Sequence, residues 1–232
     1  MEQSRIWEYF QGEGAESFRH ARPRLAHLAG LIAPGSDVLD IGVGDGTFAR
    51  LAARHGLTIH ILDPDAAAIE RAKTELSLGD RARAGFGQSI PWPDESFDAV
   101  VLSEVLEHLD DQTLSGTLGE VARVLRPGGR LIGTVPADER LEEQLVVCPH
   151  CARRFHRWGH AQSFSPERMS LLLSTRFAPV EVSRRWFIAW DLLNWKGRLQ
   201  GMTRRALALC GRWGSGHNLV FVATKPQSQG SV

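Results

Sequence analysis

The sequence lacks any apolar run approaching the roughly 18 residues that a membrane-spanning helix needs. Nothing after Met1-Glu2-Gln3-Ser4-Arg5 reads as the apolar core of a signal peptide, so a cytoplasmic location is expected. Net charge is lacking too. Lys plus Arg and Asp plus Glu both number 27, which leaves no overall field to gather nucleic acid. Only three cysteines occur in 232 residues. That is too few for a disulfide framework, and two of them share a Cys-x-x-Cys that suits a reducing compartment and a metal. There is no internal repeat and no low-complexity tract. The length accommodates one domain with modest additions, not a second large one.

What is present begins with Val38-Leu39-Asp40-Ile41-Gly42-Val43-Gly44-Asp45-Gly46-Thr47-Phe48, an apolar strand that runs into a glycine-rich turn and then a helix. Glycines at alternate positions let the backbone turn tightly and approach a ligand closely. A second apolar run, Thr58-Ile59-His60-Ile61-Leu62, ends in Asp63, placed to accept hydrogen bonds from both hydroxyls of a ribose. A dehydrogenase fingerprint would read Gly-x-Gly-x-x-Gly with a pyrophosphate on the helix N-terminus. Here the third glycine comes one residue too early, and Asp45 would repel that phosphate.

Asp40, Gly42, Gly44 and Gly46 match, position by position, the Asp/Glu-x-Gly-x-Gly-x-Gly motif of the class I S-adenosylmethionine-dependent methyltransferases, and the chain resembles that family over about residues 36–136. The resemblance extends to Pro91-Trp92-Pro93-Asp94-Glu95-Ser96-Phe97-Asp98 and to the Leu-x-Pro-Gly-Gly turn at 125–129. It implies an α/β fold, a doubly wound Rossmann-like sheet of seven strands, with S-adenosylmethionine as cofactor and S-adenosylhomocysteine as product. The cofactor residues it implies are Asp40, Gly42, Gly44, Gly46, Asp63, Pro64, Gln88, Ser89 and Ser103. Many members carry Asp-Ala where this chain has Gln88-Ser89, and neutral Gln88 can still hydrogen-bond an adenine. Asp65 reads as a helix cap.

The pattern predicts strands at 38–41, 58–62, 82–86, 97–102 and 129–135, and helices at 46–55, 65–76 and 111–125. Such alternation means parallel strands with crossover helices. Residues 1–34 read as a helical cap, serving either as a lid over the cofactor or as cover for a sheet edge. The methyltransferase domain then occupies 35–225, with an insertion at about 137–165, a helix at 166–176, strands at 180–182 and 217–224, and a disordered tail at 226–232.

After the fourth strand, Ser103-Glu104-Val105-Leu106-Glu107-His108 places two carboxylates and an imidazole near the expected methyl group. His108 is the expected base, with Glu104 beside it. Glu-x-x-Glu-His also resembles metal-assisted methyltransferases acting on catechol-like quinone precursors and on RNA 3′ ends, which implies magnesium at Glu104, Glu107 and His108. The alternative is that Glu107 and His108 merely stabilise the turn. Cys148, Cys151, His156 and His160 form Cys-x2-Cys-x4-His-x3-His, ligand types and a knuckle spacing that zinc prefers. The expectation is a zinc-binding insertion after strand five. The histidines alternatively face substrate. Cys210 reads as an inert core thiol.

Between 184 and 212 lie Arg184, Arg185, Lys196, Arg198, Arg204, Arg205 and Arg212 against Asp191 alone, about +6 in all. Trp186, Phe187, Trp190 and Leu193 recur there at helical spacing, either as core or as peripheral membrane contact. The expected activity is O-methylation of a small-molecule, lipid-linked or glycan acceptor. A non-catalytic binding module and an RNA-directed methyltransferase are the other readings. Zero charge and the absence of an Asn/Asp-Pro-Pro-Tyr/Phe motif after strand four argue against nucleic acid. Oligomeric state leaves no mark on the sequence.

Overall fold

The computed structural model describes residues 20–212 and 216–227; expectations for residues 1–19 and for the tail from 228 fall outside them. Helix α1, Arg22–Gly30, carries Pro23 in its first turn, where a missing N–H costs nothing. Strand β1 is Asp37–Ile41. Gly46, in the left-handed conformation at φ 74, turns the chain into α2, Thr47–Arg54. Strand β2, Thr58–Asp63, leads to α3, Ala66–Glu75, which Asp65 caps by accepting the Ala67 N–H at 2.8 Å. Then follow β3, Ala82–Ala84, and β4, Phe97–Ser103. Helix α4, Asp111–Val124, is capped by Asp110.

Strand β5, Leu125–Pro136, starts earlier than the sequence suggests. Arg126-Pro127-Gly128-Gly129 belongs to it, absorbed by a register irregularity opposite Phe97–Ala99. A hairpin of β6, Leu145–Val147, and β7, Arg154–His156, forms a separate two-stranded sheet. Helix α5, Pro166–Ser174, strand β8, Val180–Arg185, helix α6, Trp195–Leu209, and strand β9, Asn218–Thr224, complete the chain.

The seven-stranded sheet has the order β3-β2-β1-β4-β5-β9-β8. Strands β1 to β5 pair in parallel, and β9 enters antiparallel between β5 and β8. Parallel strands covered on both faces need apolar side chains on both. Adjacent Val38 and Leu39 accordingly feed two opposite cores, one with Phe48, Ile61 and Val101, the other with Leu102, Leu118 and Phe221. Among the described residues no helix is long and apolar enough to cross a membrane.

The sheet is tightest at Gly133, midway along β5. A Cβ there would fall inside the Leu102 carbonyl oxygen of β4 and the Phe221 ring of β9. Gly133→Ala is therefore expected to lower the unfolding free energy by about 3 kcal/mol or more. Urea denaturation checks this, and a loss under about 1 kcal/mol would show that the strands can part cheaply.

Candidate functional site

In a parallel sheet the carboxyl ends of the strands form the binding edge. Pairing of Ile41 with Leu62 and with Leu102 brings the ends of β1, β2 and β4 side by side. Asp40, the glycine turn, Asp63, Pro64 and Ser103 therefore share one edge. Gly42 and Gly44 sit at φ 92 and 53, conformations side chains resist, and a Cβ on Gly42 would press on Val105 at 3.0 Å. Asp63 ties this edge together. One carboxylate oxygen accepts the Val43 N–H and the other the Asp65 N–H, each at 2.8 Å. Carboxylate oxygens accept two bonds apiece, so these ties orient the group for ligand hydroxyls.

Asp40 is 3% exposed, and its Oδ2 has no hydrogen-bond partner. Burial, reinforced by the charge of Asp63, raises its pKa well above the usual carboxylate range. Gln88 and Ser89 lie farther out, exposed, on a loop that rests against Gly116 of α4. Phe86 precedes them with 60% of its surface exposed. Sequence reasoning missed this aromatic residue, although its place between Gly85 and Gly87, just past a strand end, marks it.

The second group of residues gathers around the short turn Leu106–His108. Glu104 adopts φ 58, in the left-handed region, and its carboxylate accepts from Asn218 Nδ2 at 3.1 Å while facing Arg24 at 3.5 Å. Its carboxylate is held by these two partners, and among the described residues the expected Glu104, Glu107 and His108 cluster does not form. His160, from the insertion, takes the third position: ligand atoms of Glu107, His108 and His160 all lie within 4.8 Å of one another. The insertion is held there by its backbone, since the N–H groups of Ala161 and Gln162 donate to the Glu107 carbonyl at 2.7 and 2.9 Å.

Both Glu107 carboxylate oxygens are buried without a hydrogen bond. Burial first, then the Glu104 charge, raises this carboxyl well above its ordinary range. His108 Nδ1 lies 3.2 Å from the Gly159 carbonyl, and burial with the nearby His160 ring pushes its pKa down to about 3. His160 Nδ1 lies 2.5 Å from Glu139 Oε2, while His156 stacks on His160 with ring centroids 4.6 Å apart. Glu139 was not foreseen, because nothing in its local sequence joins it to a histidine 21 residues away.

The predicted ligand set Cys148, Cys151, His156 and His160 is not assembled. In the hairpin His156 pairs with Leu145, so the cysteines at its tip lie about 10 Å along the strands from His156. Among the described residues neither cysteine belongs to a cluster of three metal-capable side chains, and Cys151 is exposed. Cys210, expected in the core, is exposed as well.

A family model described as a methyltransferase domain matches residues 39–133. The demethylmenaquinone methyltransferase of Tropheryma whipplei (strain Twist) is 35% identical over 115 residues, 49% of this chain and 46% of that one. An O-methyltransferase of Aspergillus sclerotiorum is 33% identical over 157 residues, 63% of this chain and 56% of that protein. The chain thus spans about half the length of such curated relatives. The fold is shared with the Burkholderia thailandensis 1,6-didemethyltoxoflavin-N1-methyltransferase, solved with bound S-adenosylhomocysteine, at TM-score 0.66 and 20% identity, covering 97% of this chain and 87% of that one. Residues 39–133 thus carry a methyltransferase domain, similar to the class I S-adenosylmethionine-dependent methyltransferases.

The residues at this edge fit S-adenosylmethionine, the cofactor of that family. The unpartnered Asp40 oxygen suits a ligand carrying positive charge, and Gly42 leaves the space a Cβ would fill. For the metal that Glu-x-x-Glu-His implies, the structure offers a changed donor set, Glu107, His108 and His160, in place of Glu104, Glu107 and His108. Zinc on Cys148, Cys151, His156 and His160 does not fit.

Two measurements test this edge. Asp63→Ala is expected to weaken S-adenosylmethionine binding by about 1.5–3 kcal/mol in calorimetry, and unchanged affinity in a folded variant would move the cofactor elsewhere. For Asp40 the sign is the reverse of the usual carboxylate. Its folded pKa is raised, so its contribution to stability is present below the unfolded value near about 3.9 and is lost as pH rises through the folded value. Ligand-free Asp40→Asn should therefore gain stability relative to the native chain between pH 4 and pH 7, roughly the span above that reference value. Denaturation midpoints that differ equally at both pH values would refute it.

Proposed function

We propose that this chain transfers a methyl group from S-adenosylmethionine to an oxygen of a small-molecule or lipid-linked acceptor. The observation that carries this reading is the convergence of Glu107, His108 and His160 beside the strand-end edge that fits the cofactor. Bound there, S-adenosylmethionine supplies an electrophilic methyl group for in-line displacement, a reaction that needs positioning above all. A hydroxyl acceptor must also lose its proton. His108, with its pKa pushed down to about 3, is a weak proton acceptor and serves to orient the hydroxyl. His160 takes the proton at Nε2, because Glu139 holds its Nδ1–H and keeps the ring in the required tautomer.

The glycine turn and Asp63 bind the cofactor, and the insertion packs over the Leu106–His108 turn to exclude water from it. The named O-methyltransferase of Aspergillus sclerotiorum supports an oxygen acceptor, and the demethylmenaquinone methyltransferase supports a lipid-linked one. A second use of His160 is favoured by the two unpartnered Glu107 oxygens. Glu107, His108 and His160 would hold a divalent cation, which would supply Lewis acidity toward the acceptor oxygen.

His160→Ala is expected to lose turnover by on the order of a hundredfold or more while still binding S-adenosylmethionine. Native turnover that survives a chelator assigns His160 as the proton acceptor. Turnover that the chelator stops and a divalent ion restores assigns it as a ligand. A near-normal rate in His160→Ala would remove both roles.

A further inference from the structure

Helix α6 is amphipathic in the inverse sense to an ordinary soluble helix, whose large apolar residues face the core. Its protein-facing side is built from glycine. A Cβ on Gly201 would meet Trp190 at 2.9 Å, and one on Gly197 would meet Leu193 at 3.1 Å. Gly201 is the helix's buried residue. On the opposite side Trp195, Leu199, Met202, Ala206 and Leu209 recur at alternating steps of four and three residues, which align on one stripe. Trp195, Leu199, Met202 and Leu209 are 71%, 59%, 62% and 90% exposed. A further large apolar side chain, Leu192, is exposed in the turn before the helix.

The aromatic residues that the sequence singled out are not on this stripe. Trp186 lies beside the His217 ring, Phe187 against His27 and Trp190 beneath Gly201. They turn inward because 186–189 is irregular and Trp190–Leu192 is a short 3-10 turn, so their helical spacing belongs to no helix.

Charge completes the pattern. Residues 195–209 contain Lys196, Arg198, Arg204 and Arg205 and no acidic residue. Lys196, Arg198 and Arg205 flank the apolar stripe on its two sides, as follows from 100° of rotation per residue. The position of the helix also counts. Strand β8 runs parallel to β5, so its carboxyl end and the start of β9 lie at the same edge as the strand ends that build the site. Helix α6 is strung between them.

We infer that α6 docks on an anionic membrane surface, laying its Trp195, Leu199, Met202 and Leu209 stripe into the lipid interface while its basic residues meet lipid phosphates. Basic flanks beside an exposed apolar stripe select a bilayer carrying negative charge over a second copy of this chain, whose identical helix would bring like charges together. Docking at this edge brings the acceptor side of the domain to the bilayer. The inference is independent of the methyl-transfer reading, and its test reads vesicle partition instead of turnover.

The test is co-sedimentation of the full chain with phosphatidylcholine vesicles, with and without about 30% phosphatidylglycerol. The native chain should sediment with the anionic vesicles, less so as salt is raised. Leu199→Glu combined with Met202→Glu should reduce partition on the order of tenfold or more while leaving S-adenosylmethionine binding intact, because both side chains already face solvent. Lys196→Glu with Arg205→Glu should abolish the preference for anionic vesicles. Failure of the native chain to sediment overturns the inference, as does undiminished partition of the Leu199→Glu, Met202→Glu variant. A native dimer that the same variant converts to monomer, without vesicle binding, assigns the stripe to a second copy instead.

Discussion

The arrangement depends on one carboxylate. Asp63 ends β2 and reaches across to the turn after β1, fixing the Val43 amide with one oxygen and the Asp65 amide with the other. Without this pair of bonds the glycine turn would be a flexible connection between two strands. With it, the turn is a shaped ledge with Gly42 and Gly44 held in left-handed conformations. Asp65, positioned by the same carboxylate, caps α3. A single side chain thus sets the turn, the neighbouring helix and the orientation of its own acceptor groups.

Around that ledge the protein accepts electrostatic cost. Asp40 and Glu107 are both buried, and neither has its carboxylate fully hydrogen-bonded. Buried polar groups are normally satisfied, so two such carboxylates, at the end of β1 and just after β4, mark groups arranged for something other than stability. Glu104 adds backbone strain at the same place and is kept there by Asn218 of the last strand. The strained turn after β4 is therefore braced from two remote parts of the chain, β9 and the insertion.

Much of the fold was legible because its signals are local. Asp-x-Gly-x-Gly-x-Gly, the apolar runs of β1, β2 and β4, and Asp65 before α3 each announce a turn, strand or cap through a few adjacent residues. What escaped was pairing at long range. Cys-x2-Cys-x4-His-x3-His has the right ligand types, yet hairpin register decides which side chains meet, and it sends His156 toward Glu139 and leaves the cysteines at the tip. Trp186, Phe187 and Trp190 show helical spacing without a helix, because a period records no information about which face has a partner. Gly197 and Gly201 were the better guide, since glycine on a helix invites close packing and so reveals the inward side.

The exposed cysteines have a practical consequence. Cys151 stands at the tip of the insertion hairpin and Cys210 at the end of α6, so the insertion and the helix each carry an exposed native thiol. Once half-buried Cys148 is replaced by serine, thiol-reactive fluorophores or spin labels on these two thiols report, through the distance between them, how the insertion and the helix are disposed with and without ligand.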